Sequence, residues 1–512
     1  MAINRPLCSF YWGSWLAVIN LSVAHGQFYN RPTYDTTTTQ GLQYRVEMGA
    51  LVSSKNTTPF WLQSNQFGTI PRESPSGILD VELAGLWGNA RQRRHPYFKV
   101  AVEAVGNLNR ASRLVLPQAY AAVRWGHGEL YVGRRKEING LADTLLSSGS
   151  VAWSGNAVPI TQIRLGTRDF APLKFTNGFV AISAFFSHGW FTNSDSMQNV
   201  RLHAKSLFIR LGKSTSKFRL YGGINHFVQW GGYTPYINRY SNVPAGALTK
   251  NGYIPSGWKA YKAAVLPIGQ PGGDEHFTTI DTLNQIGNHL GSIDFAMDVM
   301  LGQSNFYAYY QHLYEDNSGL LFQNFPDGLF GLRWKNMSTR TGQIIQIKQV
   351  TVEFLTSLNR SGTDPIYGGD DYFFNAQYLG GWTNQNNVIG TPIFTRTADI
   401  PAEVRKTSKW LNRDRSVNNN AVQTIHFGFY ALVKQRIPIV IMATTNKYHE
   451  WPNTAKYYNQ FYSSLEINNL LINKTSWLKA GIKLAYDTGD IFSNNFGAML
   501  TLKRVGIINS QN

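Results

Sequence analysis

The sequence has almost no cysteine, little charge and no long apolar run, and each shortage closes off a class of function. Its single cysteine, Cys8, lies in residues 1–26, which read as a cleaved signal peptide. Arg5 is the basic start, Phe10 to Val23 the apolar centre, and Ala24-His25-Gly26 the small-residue cleavage site. A mature chain without a thiol excludes disulfide frameworks, thiolate metal sites and a cysteine nucleophile. Cys8 lies within the signal rather than after it, so it does not read as a lipid-anchored cysteine. Beyond the signal no run of about 18 apolar residues occurs, so no helix is expected to cross a membrane. Charged residues make up only 15% of the chain, against roughly a quarter in soluble domains. No H-E-x-x-H, phosphate loop or G-x-S-x-G elbow appears, and no blade-length repeat recurs.

What is abundant is aromatic residues (13%, with 26 Tyr) and strict alternation. In 217–229, Phe218, Leu220, Gly222, Ile224, His226 and Val228 share one face. Arg219, Tyr221, Gly223, Asn225 and Gln229 share the other, with Phe227 the exception. A period of two with one apolar face is a strand signal, and about a dozen residues suit a tilted membrane-spanning strand. The same pattern recurs at 43–53, 79–87, 98–104, 114–124, 128–134, 159–168, 178–187 and 200–212. In the second half it covers 293–301, 305–314, 329–336, 349–354, 424–431, 437–447, 458–471, 478–484 and 496–504. The total is about eighteen, an even number that suits an outer-membrane barrel.

Connections alternate in length. Those at 91–96, 125–127, 213–216 and 435–436 are short, and those at 54–77, 135–158, 230–290 and 358–420 are long. Short turns on the periplasmic side and long loops outside are what a transmembrane barrel requires. The expected fold is therefore an all-β transmembrane antiparallel barrel in the cell outer membrane. Residues 27–40 are its N-terminal periplasmic segment, 41–505 the barrel and 506–512 a tail, with the last strand ending near Arg504. Arg45, Asp80, Glu82, Lys99, Asp294 and Asp298 are expected to pair in the lumen, since facing lipid would be costly. The mature charge is +17, the +18 of the whole chain less Arg5. Such an excess points to an acidic partner, and secretion makes nucleic acid an unsuitable one.

Five stretches in order resemble the capsule-assembly Wzi family of outer-membrane proteins. They are Pro59 to Gly68 (PFWLQSNQFG), Ser147 to Ile160 (SSGSVAWSGNAVPI), Tyr221 to Gly232 (YGGINHFVQWGG), Gln285 to Ser292 (QIGNHLGS), and Tyr372–Asn375 with Gly381-Trp382 and Gly390 to Ile393. The resemblance runs from about Gly41 to Arg504. It implies an eighteen-stranded barrel with an occluded lumen that holds capsular polysaccharide as a lectin and not as an enzyme. The family's periplasmic helical plug has no counterpart here, since no segment shows a long 3.6-residue apolar period.

The partners expected are a capsular or exopolysaccharide of acidic type, outer-membrane lipid and the barrel-assembly machinery, with a monomeric barrel and no cofactor. The alternative is a diffusion channel for sugars or other solutes. Candidate glycan residues lie in 396–415, where Arg396, Arg405, Lys406, Lys409, Arg413 and Arg415 outnumber Asp399, Glu403 and Asp414 around Trp410. Arginine pairs carboxylates bidentately, and an aromatic face stacks on a sugar ring. Trp61, Trp153 and Trp382 in the motif loops are the further candidates. Asp274-Glu275-His276 and Asp370-Asp371 read as solvated loop charge, and the basic turn Arg91 to His95 as a periplasmic lipid or assembly contact. Ser147, Ser148 and Ser150 with His226, His289, Asn225 and Asn288 lack any local nucleophile signature and read as structural hydrogen-bonding groups.

Overall fold

A computed structural model describes residues 41–508 except 89–94, 237–246, 267–277, 280, 282–284, 340–341, 364–368 and 472–477. The expected signal peptide (1–26), the 27–40 segment, Arg91 to Arg94 of the basic turn and Asp274-Glu275-His276 lie outside the described residues. Eighteen strands form one closed antiparallel barrel. The first six are β1 (Gly41–Ser53), β2 (Ser76–Trp87), β3 (Tyr97–Leu108), β4 (Arg113–Trp125), β5 (Gly128–Arg134) and β6 (Thr161–Thr167). Next come β7 (Val180–Trp190), β8 (Arg201–Leu211), β9 (Phe218–Trp230), β10 (Asn288–Leu301), β11 (Ser304–Tyr314) and β12 (Gly328–Asn336). The last six are β13 (Ile345–Thr356), β14 (Val422–Val433), β15 (Ile437–His449), β16 (Tyr457–Leu471), β17 (Leu478–Gly489) and β18 (Asn495–Ile508). Each pairs with the next, and β1 also pairs with β18, so no sheet edge is left open. A two-residue segment, Ala171–Pro172, adds a short pairing to β7.

Every strand expected from alternation is present. The last is longer than expected: it continues past Arg504 to Ile508, because Gly506, Ile507 and Ile508 pair with Tyr44, Gln43 and Leu42 to close the barrel. The tail therefore shrinks to the final residues beyond Ile508.

The two faces separate as the pleat demands. Leu79, Val102, Leu207, Phe295, Ile425 and Leu500 point outward and are exposed, forming an apolar belt suited to hydrocarbon. Aromatic side chains border it at both ends: Trp87, Trp125 and Phe218 at the short turns, Trp190 and Tyr457 at the long connections. Inward, Arg45 donates to Glu82 at 3.0 Å, Asp80 at 2.5 Å and Glu103 at 2.8 Å. Lys136 reaches Glu103 at 2.6 Å, and Arg219 pairs with Asp298 at 2.9 Å. The same cations facing the bilayer midplane would cost about 2–4 kcal/mol each. Phe227 stops being an exception: it faces the lumen, fully buried, and stacks on Trp382 at 5.8 Å.

The lumen is filled by connections that turn inward. In 54–75 a short helix, α1 (Phe60–Gln63), stacks Phe60 on Tyr462 at 4.1 Å and donates from Trp61 Nε1 to Thr444 at 3.1 Å. In 135–160, Ser147 and Ser148 donate to Glu353 at 2.5 and 2.6 Å, and the Leu141 amide donates to Asp294 at 2.7 Å. His426 bonds the Leu146 carbonyl at 2.7 Å. Gly428 lies under that residue; a Cβ there would stand 2.6 Å from the Leu146 Cβ, so the wall must be bare at this contact. From 357–421, Trp382 donates to the Ala152 carbonyl at 2.7 Å and meets Trp153 edge-on at 6.0 Å. These residues join lumen-facing Phe208, Tyr221 and Leu329 in one apolar core. Among the described residues the plug is built of loops, with no long helix, which is why it leaves no helical period in the sequence.

All the long connections (54–75, 135–160, 231–287, 357–421) leave the same end of the barrel. Asn251 and Asn386 are exposed at that end. Asn251→Cys or Asn386→Cys, each combined with Cys8→Ser, should react with a membrane-impermeant maleimide on intact cells. Reaction only after the outer membrane is permeabilised would invert this orientation.

Candidate functional site

The long connections meet at the top of the plug, and Asp371 is the centre of what they build. Its carboxylate takes Arg360 at 3.0 Å, Arg413 at 3.3 Å, Arg415 at 3.3 Å and Asn420 at 3.1 Å. Burial alone would raise its proton affinity, but Arg360 and Arg413 outweigh that and hold it below the ordinary aspartate range. Its neighbour Asp370 is pushed up to about 6 by burial and by Asp316. Burial pushes the Arg413 guanidinium down to about 10, against the pull of Asp371. It stays charged at neutral pH and lies over the Trp410 ring at 3.4 Å. Arg360 sits 5.5 Å from the Trp410 ring centre and 5.3 Å from that of Trp451, and the two indoles are 6.4 Å apart. Arg415 covers Phe374 at 4.0 Å.

The structure divides the ten candidate residues. Arg405, Lys406 and Lys409 lie on or just after the short helix α2 (Ala402–Lys406). Lys406 and Lys409 are exposed and Arg405 half-buried, with no ion pair within 4.0 Å among the described residues. These three are free to meet a ligand. Arg413 and Arg415 are committed to Asp371. Arg396 pairs with Asp399 at 3.2 Å, and Asp399 also holds Arg72. Trp410 is only 8% exposed and already stacked. Trp61, Trp153 and Trp382, at 2%, 5% and 0% exposure, are plug core and present no face to a sugar. Their motifs looked like recognition loops because tryptophan beside glycine and asparagine reads alike in a binding site and in a tightly packed coil. Trp451 was missed: it stands alone in a seven-residue connection, 450–456, and only the fold brings it beside Trp410.

The serines and histidines separate too. Ser147 and Ser148 face the lumen on Glu353, whereas His226 and His289 bond each other at 3.0 Å on the outward side of the wall. They assemble no Ser-His-Asn arrangement.

Charge is distributed in a way the total of +18 hides. The eight short connections hold eleven Lys or Arg and one acid, Asp169; the nine on the long side hold seventeen Lys or Arg and eighteen acids. Lys174, Lys213, Lys217, Lys434 and Arg436 are exposed on the short-turn rim. The basic excess thus belongs to the barrel wall and the short-turn end. It gives no support to an overall cationic outer surface, and any attraction there is local to residues such as Arg405, Lys406 and Lys409.

No known family model matches the sequence, and no curated protein matches it. Among solved structures, OccK5 (OpdH) of Pseudomonas aeruginosa aligns with a TM-score of 0.46 at 8% identity, over 92% of this chain and 98% of that one. OccAB2 of Acinetobacter baumannii gives 0.46 at 7% identity, over 92% and 98%. Wzi of Escherichia coli gives a TM-score of 0.54 at 14% identity, over 90% of this chain and 83% of that one. It is described as an outer-membrane protein involved in group 1 capsule assembly and a carbohydrate-binding β-barrel. That likeness identifies the fold of this chain as an eighteen-stranded barrel of the outer-membrane type.

Proposed function

We propose that this protein is a non-enzymatic outer-membrane barrel that binds a surface or capsular polysaccharide and supports its attachment to the cell. The observation that carries the reading is the plug: the inward-folded loops pack an apolar core where a solute path would run, and the site worth building lies on their outer end. There Trp451 is half-buried beside the Arg360–Asp371–Arg413 cluster, and Lys406 and Lys409 stand free on the rim of the same connection. An indole face suits a sugar ring, and free ammonium groups suit its carboxylates. The barrel fold, its apolar belt and the carbohydrate-binding description of Wzi support the same reading.

The test follows from the division of cations. Arg413 is left alone, since it holds the plug together. Arg405→Gln, Lys406→Gln and Lys409→Gln combined should weaken binding of the producing strain's own polysaccharide about tenfold. Exposed charge pairs contribute about 0.2–1 kcal/mol each, and about 1.4 kcal/mol is one decade. A polymer presenting repeated carboxylates multiplies the effect in cells, so the polysaccharide should appear in the medium. Undiminished retention with normal barrel abundance would remove these residues from the site.

A further inference from the structure

Five of the eleven histidines, His188, His203, His226, His289 and His312, occur on five consecutive strands, β7 to β11. By parity with exposed Phe186, Leu207, Ile224 and Phe295 they occupy the outward faces, each within four residues of the long-connection end. Lys205 shares that face. Two connections fold back over this patch from outside the barrel. One carries the helix Trp258–Val265: its Tyr261 hydroxyl meets His188 Nε2 at 3.0 Å, and its Val265 carbonyl accepts from Lys205 Nζ at 2.5 Å. The other is 315–322, whose Gly319 carbonyl accepts from His312 at 2.8 Å while Phe322 stacks on that ring at 4.2 Å.

Between them opens a cavity of about 300 Å³, lined by Lys205, Leu207, Ile224, His226, Tyr314 and Leu320 among others. Its lower side is the apolar belt, and its upper side is polar. A cavity at that level on the outside of a membrane barrel meets lipid rather than bulk water. His226 also has one nitrogen in use and one spare. His289 Nε2 must donate to the Ile286 carbonyl at 2.8 Å, so its Nδ1 accepts from His226 Nε2. His226 Nδ1 is left without a partner.

We propose that this wall cavity binds one phosphorylated amphiphile of the membrane leaflet at the long-connection end. Its acyl chain lies along Leu207, Ile224 and Leu320, and its phosphate monoester accepts from the Lys205 ammonium while its remaining P–OH donates to the unprotonated Nδ1 of His226. The two acids at the upper side do not forbid an anion there. Glu315 is half-buried, accepts the Phe373 amide at 2.5 Å, and desolvation pushes its carboxyl well above the usual range. Asp316 is turned toward Ser318 and the Gly319 amide at 2.5 and 3.1 Å. The proposal needs only that the apolar belt lies in a bilayer; it is independent of the polysaccharide reading.

Native mass spectrometry of the purified barrel in detergent, titrated with lipid A, phosphatidic acid or diacylglycerol, tests it. One phosphorylated lipid should bind about tenfold more tightly than diacylglycerol, and Lys205→Gln with His226→Gln should erase that preference. Stronger binding of lipid A than phosphatidic acid would assign the site to the glycolipid; equal binding would assign it to the phosphate. Leu320→Trp lies outside the barrel wall, fills the cavity without touching a strand, and should abolish retention of all three. Equal retention of diacylglycerol, or a phosphate preference that survives both variants, would overturn the proposal.

Discussion

Excising residues 140–152 should open a conducting path through the barrel. The ends of this segment are already together, since the Asn139 amide donates to the Trp153 carbonyl at 3.1 Å. Two glycines would therefore close the gap without displacing β5 or β6. What leaves is the part of the plug that covers β10 to β14. Leu141, Leu146 and Val151 are 1% exposed or less, and the Ser147 and Ser148 hydroxyls donate to Glu353. Without them Asp294 and Glu353 face water, and a pore walled there by two carboxylates should prefer cations. In planar bilayers the intact protein should stay at background while the excised form opens in discrete steps with cation selectivity. Porin-sized steps from the intact protein would instead favour the diffusion-channel alternative.

A second large effect is expected from one carboxylate just beyond the end of β5. Glu137 accepts Arg164 at 2.6 Å, Arg135 at 2.5 Å and the Tyr131 hydroxyl at 2.8 Å, all of them buried. Glu137→Ala strands two guanidinium groups, although Arg135 retains Glu129 at 2.6 Å. Breaking such a pair by removing one partner costs about 3–5 kcal/mol, whereas replacing both partners with apolar groups is often nearly neutral. The urea midpoint of the reconstituted barrel should fall sharply in Glu137→Ala and recover by more than half in Glu137→Leu with Arg164→Leu. A single variant as stable as the parent would mean that water reaches these arginines and that the lumen is wetter at this level than its packing indicates.

How much of this was legible beforehand depended on whether a residue's role is local. Alternation exposes a strand because each side chain chooses lipid or lumen by itself, so Leu220 and Arg219 could be assigned from their neighbours alone. Connection lengths revealed the polarity of the barrel for a similar reason. An occluded lumen followed only from the family resemblance, and the residues that fill it were not legible: Trp153 and Trp382 sit in segments whose polarity looks solvent-exposed, and only their partners, Phe227 and the Ala152 carbonyl, make them interior. The candidate site suffered most. Six basic residues in twenty positions look like one surface, yet Asp399, outnumbered in the count, and Asp371, outside it, withdraw Arg396, Arg413 and Arg415 from it. Net charge misled for the same reason, since a sum over the chain has no direction and the excess turned out to lie in the wall and at the short-turn end.

The inward loops also bear on how the chain can fold. Closing the barrel pairs Leu42 with Ile508 and Ser53 with Gly497, contacts between opposite ends of the sequence that a folding chain reaches last. Until then two strand edges are open to mispairing. The plug offers a remedy, because it joins early and late strands before they meet as neighbours: Phe60 lies on Tyr462 and its amide on Asp487, while Leu146 is fixed to His426 and Ser148 to Glu353. A collapsed core of loops would then act as an internal mandrel, curling the growing sheet and bringing β1 within reach of β18 as the last residues arrive.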